Sequence, residues 1–298
     1  MYRFARDALT AYCATSFASH AYTKPSTSVS RSPCPALNTL ANEGYMYAIS
    51  WILLTFFLLC SSSRSGTDIS FLGLLLAVHH VYNLSLPLAF FLTFFGFSTC
   101  GDISWCPLRH IKGNSLKDAI LSVFPTWTIN LASLSKRGFN KIAHDSSLVH
   151  PDDRPSTSPD LTLLADLLRS ASNANGTLGL TLHDLGRLHA QREASSNRPL
   201  SWLHEQVALG ECGLAWLVMR EYTSASKCHS LRFRREDICE NEFTSPLSRL
   251  EQWLGEERLP DNWWESVRPI DEVGLCETRR WAMYVARVAH LDHPASDS

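Results

Sequence analysis

Apolar residues recur at helical spacing along most of the chain, and this pattern predicts a mainly helical protein. Long helices are predicted over residues 35–44, 202–222, 246–255 and 271–291. Shorter ones are predicted over 130–134, after Ser158-Pro159, and at Thr181, which forms a capping-box-like start with Asp184. No convincing alternating strand pattern and no internal repeat occurs, so the predicted fold class is mainly α.

Two stretches are far more apolar than the rest. Residues 46–60 are apolar all round, which predicts a buried helix or part of a membrane span, although a span needs about 20 such residues. Residues 71–97 are predicted to form two core helices, the second capped by Ser85, with a membrane hairpin as the alternative. The residues that interrupt this second stretch are His79, His80, Asn83 and Pro87. Adjacent histidines point about 100° apart on a helix, so His79 and His80 are not expected to share one ligand.

The chain has 298 residues, of which 45% are hydrophobic, so it can bury the core of one large domain or two small ones. Its formal net charge is -2 and its pI is about 6.6. These values give no long-range field that would attract nucleic acid or an anionic membrane. No nucleic-acid partner is therefore expected.

Nine cysteines are more than a typical cytosolic protein of this size carries. Cys100 and Cys106 are the pair closest to a short-range disulfide, with two free thiols as the alternative. Asn83-Leu84-Ser85 and Asn175-Gly176-Thr177 are glycosylation sequons, and residues 1–19 are weakly signal-like. We therefore expect secretion. Membrane association through segments 46–60 and 71–97 is the less favoured alternative.

Cys34 lies between two prolines immediately before the first predicted helix. Pro35 suits the first helical position, which makes Cys34 the N-cap residue, and Gly44 can end the helix in a left-handed conformation. At the N-cap the side chain faces the N–H groups of Ala36 and Leu37 at the positive end of the helix dipole, and both effects favour a thiolate. Cys34 is therefore a candidate nucleophile or metal ligand, with a half-buried structural cysteine as the alternative.

Two further positions carry candidate chemistry. Glu211 lies in an otherwise apolar helical stretch, where an ionised carboxylate needs a partner or a raised pKa unless it occupies a narrow solvent stripe. His144 precedes Asp145 in a predicted loop, and by itself this pair is typical of a surface turn.

Residues 32–45, Ser-Pro-Cys-Pro-Ala-Leu-Asn-Thr-Leu-Ala-Asn-Glu-Gly-Tyr, closely resemble the proximal helix of the fungal heme-thiolate peroxidases, the family of chloroperoxidase and the unspecific peroxygenases. The resemblance implies a single multi-helix heme-binding domain over residues 20–292. It also implies a b-type heme whose axial iron ligand is Cys34. The cofactor-binding residues that follow the ligand are Pro35, Ala36 and Leu37.

Residues 141–148, Lys-Ile-Ala-His-Asp-Ser-Ser-Leu, resemble the family's Glu-His-Asp-x-Ser-Leu motif. The resemblance implies that His144 orients the catalytic carboxylate and that Asp145 supports it. Ala143 stands where the family has a glutamate ligand of a Mg or Mn ion, and Ser147 matches another ligand of that ion. Because a hard cation needs several oxygen ligands, the Mg or Mn site is doubtful and weak or absent binding is expected.

Residues 207–219 resemble the family's Gly-Glu-x-x-Leu helix, which implies that Glu211 is the distal acid-base residue. Residues 253–264 contain Glu-Arg-Leu-Pro followed by tryptophan, a further family block with an expected structural role. The four blocks occur in family order. Together they imply a peroxidase or peroxygenase that uses hydrogen peroxide to oxygenate, halogenate or oxidise small organic substrates.

Residues 46–63 interrupt the family pattern and are predicted to be interposed, non-family sequence. Residues 1–19 are interpreted as a weak signal-like or disordered N-terminus and residues 293–298 as a tail. The interruption and Ala143 leave one alternative function open, a non-catalytic or degenerate heme-binding member of the family.

Overall fold

The computed structural model describes residues 20–49, 60–62, 64–105, 125–136, 147–151, 156–174, 177–196, 200–222 and 243–292. Helices predominate in these ranges, which confirms the mainly α class. The α-helices are α1 (Pro35–Asn42), α2 (Phe71–Tyr82), α3 (Leu86–Cys100), α4 (Leu161–Arg169), α5 (Leu182–Ser195), α6 (Trp202–Met219), α7 (Leu247–Leu250) and α8 (Leu275–Asp292). A 3-10 helix covers Leu131–Ser135, and π-helical turns cover Glu251–Gly255 and Trp263–Val267.

Short strands join the helices. They are β1 (Tyr47–Ile49), β2 (Cys60–Ser62), β3 (Ile69–Ser70), β4 (Asp102–Trp105), β5 (Pro125–Ile129), β6 (Ser172–Ala174), β7 (Thr177–Leu180), β8 (Glu221–Tyr222) and β9 (Phe243–Pro246). They pair antiparallel in the orders β1-β2, β3-β5-β4 and β6-β7-β9-β8. No strands were predicted from the sequence, because segments of two to five residues are too short to display an alternating pattern.

The prediction of one helix over residues 46–60 is wrong at both ends of that segment. β1 and β2 pair in antiparallel register, with Tyr47 opposite Ser62 and Ile49 opposite Cys60. Residues 50–59 lie outside the described ranges. The prediction that 46–63 is interposed sequence therefore stays a prediction.

The second apolar stretch forms two core helices, α2 and α3, as predicted. The Ser70 hydroxyl caps α2 by accepting a hydrogen bond from the Gly73 N–H at 3.1 Å. Asn83 ends α2 in the left-handed region at φ 53°, and Ser85 occupies the N-cap of α3. Among the residues that the structure describes, no helix is both long and apolar enough to cross a membrane.

Helices α5, α6 and α8 pack closely against one another on the C-terminal side of the chain. Gly186 allows this approach on α5, because a Cβ there would lie 2.7 Å from the Cβ of Val288. Trp281, Val285 and Val288 are buried on α8, as predicted. The core around these helices positions the middle of α6, which carries Glu211.

Several predicted ends shift by a few residues. Asp160, rather than Ser158, caps α4, because its carboxylate accepts hydrogen bonds from the N–H groups of Thr162 and Leu163. The capping box of Thr181 and Asp184 is confirmed. Helix α6 ends at Met219 instead of residue 222, because Glu221–Tyr222 pair with β9.

Four cysteines whose side chains the structure describes are free thiols: Cys34, Cys100, Cys212 and Cys276. A disulfide and a pair of free thiols were the two alternatives for Cys100 and Cys106. Cys100 is buried at the end of α3 and is a free thiol. Cys106 itself lies outside the described residues.

Candidate functional site

Cys34 occupies the N-cap of α1 with an extended backbone, and Pro35 begins the helix, as predicted. Gly44 adopts φ 81°, and the N–H groups of Gly44 and Tyr45 return to the carbonyls of Ala41 and Leu40. This left-handed ending stops α1 one turn after Leu40. The local sequence therefore determines both ends of the helix that presents the cysteine.

Burial opposes the effect of the helix start on the Cys34 thiol. It raises the pKa of the thiol to about 12, and the charges of Glu211 and Glu257 raise it as well, whereas the backbone N–H groups of Leu37 and Ala36 lower it, as expected from the N-cap position. The Cys34 side chain makes no cap hydrogen bond. A cation that coordinates the sulfur would displace the proton and stabilise the thiolate.

A buried polar network fixes the backbone before Cys34. The Cys34 N–H donates to Ser32 Oγ at 3.1 Å. Asn38 Nδ2 donates to the Ser32 carbonyl at 2.7 Å, and the Ser32 N–H donates to Asn38 Oδ1 at 2.8 Å. Both Ser32 and Asn38 are fully buried. The loop that carries the sulfur is thus tied to the first turns of α1.

Helix α2 supports α1 from behind through Tyr82. The Tyr82 hydroxyl donates to the Ala36 carbonyl at 2.7 Å and accepts a hydrogen bond from Trp253 Nε1 at 3.3 Å. Burial raises the pKa of Tyr82 well above its usual range, so the phenol stays neutral. Trp253, in the family block at 253–264, is therefore linked to the Cys34 helix through the Tyr82 hydroxyl.

Glu211 lies near the middle of α6 and is only partly exposed. Its Oε1 accepts a hydrogen bond from the hydroxyl of Ser147 at 3.0 Å, and Ser147 is fully buried. The interpretation of Glu211 as a residue on a solvent stripe does not fit this contact. The charge of Glu211 also raises the pKa of Cys34.

A family model described as peroxidase, family 2, matches residues 20–48 and 62–268, most of the chain. The chain belongs to this family. It is therefore a hydrogen-peroxide-dependent oxidoreductase of the fungal heme-thiolate chloroperoxidase family, as the sequence resemblance implied. A search of curated proteins finds no match.

Some predicted residues of this family 2 peroxidase are not described by the structure. Ala143, His144 and Asp145 lie in the segment 137–146, outside the described ranges. Within the described part of the chain, no group of three or more His, Cys, Asp or Glu side chains could hold a metal ion. The distal roles of His144 and Asp145 and the doubtful Mg or Mn site at Ser147 therefore stay predictions.

The histidines of α2 have structural contacts. His79 Nδ1 lies 2.6 Å from the Leu84 carbonyl, and the His80 ring lies 5.6 Å from that of Trp264. Burial and the nearby charges of Arg268 and His79 lower the pKa of His80 to about 4. These packing roles agree with the sequence interpretation, which excluded a shared ligand.

His189 lies on α5, is 1% exposed and was not predicted as a functional residue. Burial lowers the pKa of His189, and the charge of Glu211 raises it. The buried imidazole therefore experiences the charge of the peroxidase's candidate acid-base residue. A lone histidine within an amphipathic helix carries no local signal that would have revealed this interaction.

Proposed function

We propose that this family 2 peroxidase binds heme b through Cys34 and uses hydrogen peroxide to oxygenate, halogenate or oxidise small organic substrates. The observation that carries the proposal is the place of Cys34 at the N-cap of α1, between two prolines and within the part of the chain that the peroxidase family model matches. Family membership favours an active enzyme over the non-catalytic alternative.

The residues around Cys34 fit a heme iron. Cys34 offers one soft sulfur at the start of α1, and a heme, which brings four ring nitrogens of its own, needs only such a single axial ligand from the protein. Pro35, Ala36 and Leu37 follow the sulfur in the first turn and would lie beside the cofactor. When bound, a thiolate-ligated heme supplies the redox chemistry and the electron density that favours O–O cleavage.

Glu211 is the proposed proton carrier for hydrogen peroxide. Its carboxylate takes the proton from one peroxide oxygen and returns it to the other, so that water can leave. The Ser147 hydroxyl holds Oε1 and thereby limits rotation of the carboxylate. We propose that His144 and Asp145 orient the same carboxylate, as the family motif implies.

The absorption spectrum of the reduced, carbon monoxide-bound protein tests the ligand assignment. A thiolate ligand gives a red-shifted Soret band, and Cys34→Ala should abolish that band while leaving α1 intact, because the Cys34 side chain makes no cap hydrogen bond that alanine would remove. Cys100→Ala is the matched control, because it removes another buried free thiol and should keep the band. An unchanged band in Cys34→Ala would assign the ligand to another residue, and wild-type protein that binds no heme would refute the proposal.

A further inference from the structure

Glu257 and Leu259 form hydrogen bonds to α1 and to its C-cap residue Glu43, and we refer to residues 257–259 as the 257–259 loop. Glu257 Oε1 accepts a hydrogen bond from Asn38 Nδ2 at 2.6 Å, and the Glu257 carbonyl accepts one from Asn42 Nδ2 at 3.0 Å. The Leu259 N–H donates to Glu43 Oε1 at 3.2 Å. The loop is thus attached to α1 at two residues and to its C-cap at a third.

Glu257 is held in an unusual conformation at this contact. It adopts φ 52°, in the left-handed region that non-glycine residues rarely occupy, and it is 5% exposed. Such backbone strain persists where the surrounding contacts enforce it, and it is common at functional sites. Burial raises the pKa of Glu257 to about 7, although the hydrogen bond from Asn38 and the charge of Arg31 lower it. Packing of apolar atoms alone would not require an ionisable carboxyl group at the buried position of Glu257.

The contact with Asn38 leads directly to the cysteine loop. One amide hydrogen of Asn38 is directed to Glu257 and the other to the Ser32 carbonyl. Ser32 Oγ in turn accepts the Cys34 N–H. Without the Glu257 oxygen, a buried amide hydrogen would lose its acceptor, and the Asn38 side chain could rotate away from Ser32.

We infer that Glu257 is a positioning residue for the axial cysteine, acting through Asn38 and Ser32 on the orientation of Cys34. This inference rests on the proposed heme ligation. The charge of Glu257 does not explain its presence, because that charge raises the pKa of Cys34 and so opposes a thiolate. The positioning role therefore belongs to the Glu257 oxygen that accepts the hydrogen bond from Asn38.

The test compares Glu257→Ala, which removes the acceptor, with Glu257→Gln, which keeps an oxygen at the same position without the charge. Glu256→Gln is the control, because it removes a carboxylate from the adjacent, exposed position that pairs with Arg258. The readouts are heme affinity and the share of the carbon monoxide complex that shows the thiolate band. Heme affinity of Glu257→Ala should fall about 10- to 100-fold, the usual effect of losing a residue that holds a metal ligand in place.

The thiolate share should fall in Glu257→Ala and return to the wild-type level in Glu257→Gln, while Glu256→Gln stays unchanged. If Glu257→Ala does not accumulate as folded protein, Glu257→Asp carries the test, because the shorter side chain withdraws the oxygen from Asn38. Wild-type affinity and band share in the variant tested would overturn the inference and leave the heme assignment intact. Failure of both variants to fold would also overturn it, since Glu257 would then serve stability in general. A wild-type protein without the thiolate band would instead refute the proposed function.

Discussion

The hydroxyl of Ser147 lies 3.0 Å from Oε1 of Glu211, and it donates a hydrogen bond across a separation of 64 residues in the chain. Ser147 is fully buried, and Glu211 lies in the apolar C-terminal two-thirds of α6. The pair therefore gives the carboxylate a defined orientation inside the protein. A carboxylate that moves a proton between two atoms of a small substrate needs such an orientation.

Ser147→Ala should slow the reaction with hydrogen peroxide. A hydrogen bond to a charged group contributes about 1.5–3 kcal/mol, so its loss should lower the rate constant by about 10- to 100-fold if it acts fully in the transition state. Rapid mixing with peroxide measures this constant. Ser135→Ala is the control, because Ser135 is also buried and its hydroxyl donates only to the nearby Ala132 carbonyl. Equal rates in Ser147→Ala and wild-type protein would show that the hydrogen bond has no catalytic role.

The stability of the folded protein should depend on pH through Glu257. Its pKa in the folded state is about 7, above its ordinary value of 4.5, so the folded state binds the proton more tightly than the unfolded state. The contribution of this proton to the free energy of unfolding is fully present below pH 4.5 and is lost as the pH rises through about 7. The loss amounts to about 3 kcal/mol. Urea unfolding across this range should show the decline in wild-type protein and a smaller one in Glu257→Gln. A decline of equal size in both proteins would contradict the assignment to Glu257.

Asn83 should contribute to stability in two separable ways. Its Nδ2 donates to the carbonyls of Pro269 and Ile270, and its backbone occupies the left-handed region at φ 53°. Asn83→Gly tolerates the backbone but loses the hydrogen bonds, at a cost of about 1–3 kcal/mol. Asn83→Ala should cost about 1 kcal/mol more, because alanine disfavours that conformation. Equal free energies of unfolding for the two variants would contradict the backbone part of this account.

Local signals in the sequence predicted the elements whose ends depend on neighbouring residues. Pro35 and Gly44 define α1, and Thr181 with Asp184 begins α5, because helix starts and stops depend on residues within one turn. The strands β1 and β2 escaped prediction because each exists only through pairing with the other across residues 50–59.

The sequence predicted only those residues of the candidate site that lie in recognisable motifs. Cys34 and Glu211 were singled out from the sequence, but the burial that opposes the effect of the helix start on the Cys34 thiol is a tertiary property and has no local signal. The contact of Glu257 with Asn38 spans 219 residues of chain, and no local pattern indicates it. The predicted partners His144 and Asp145 lie outside the described residues.

The reaction of Glu211→Gln with hydrogen peroxide tests the central claim most directly. Glutamine keeps the shape of the side chain and an oxygen for Ser147 but cannot carry the proton. Heme content and the carbon monoxide band should match the wild type, while the rate constant should fall by about two to four orders of magnitude, the range for a positioned acid-base group. Glu205→Gln, on the same helix, is the matched control and should react at the wild-type rate. A wild-type rate in Glu211→Gln protein with full heme occupancy would contradict the account.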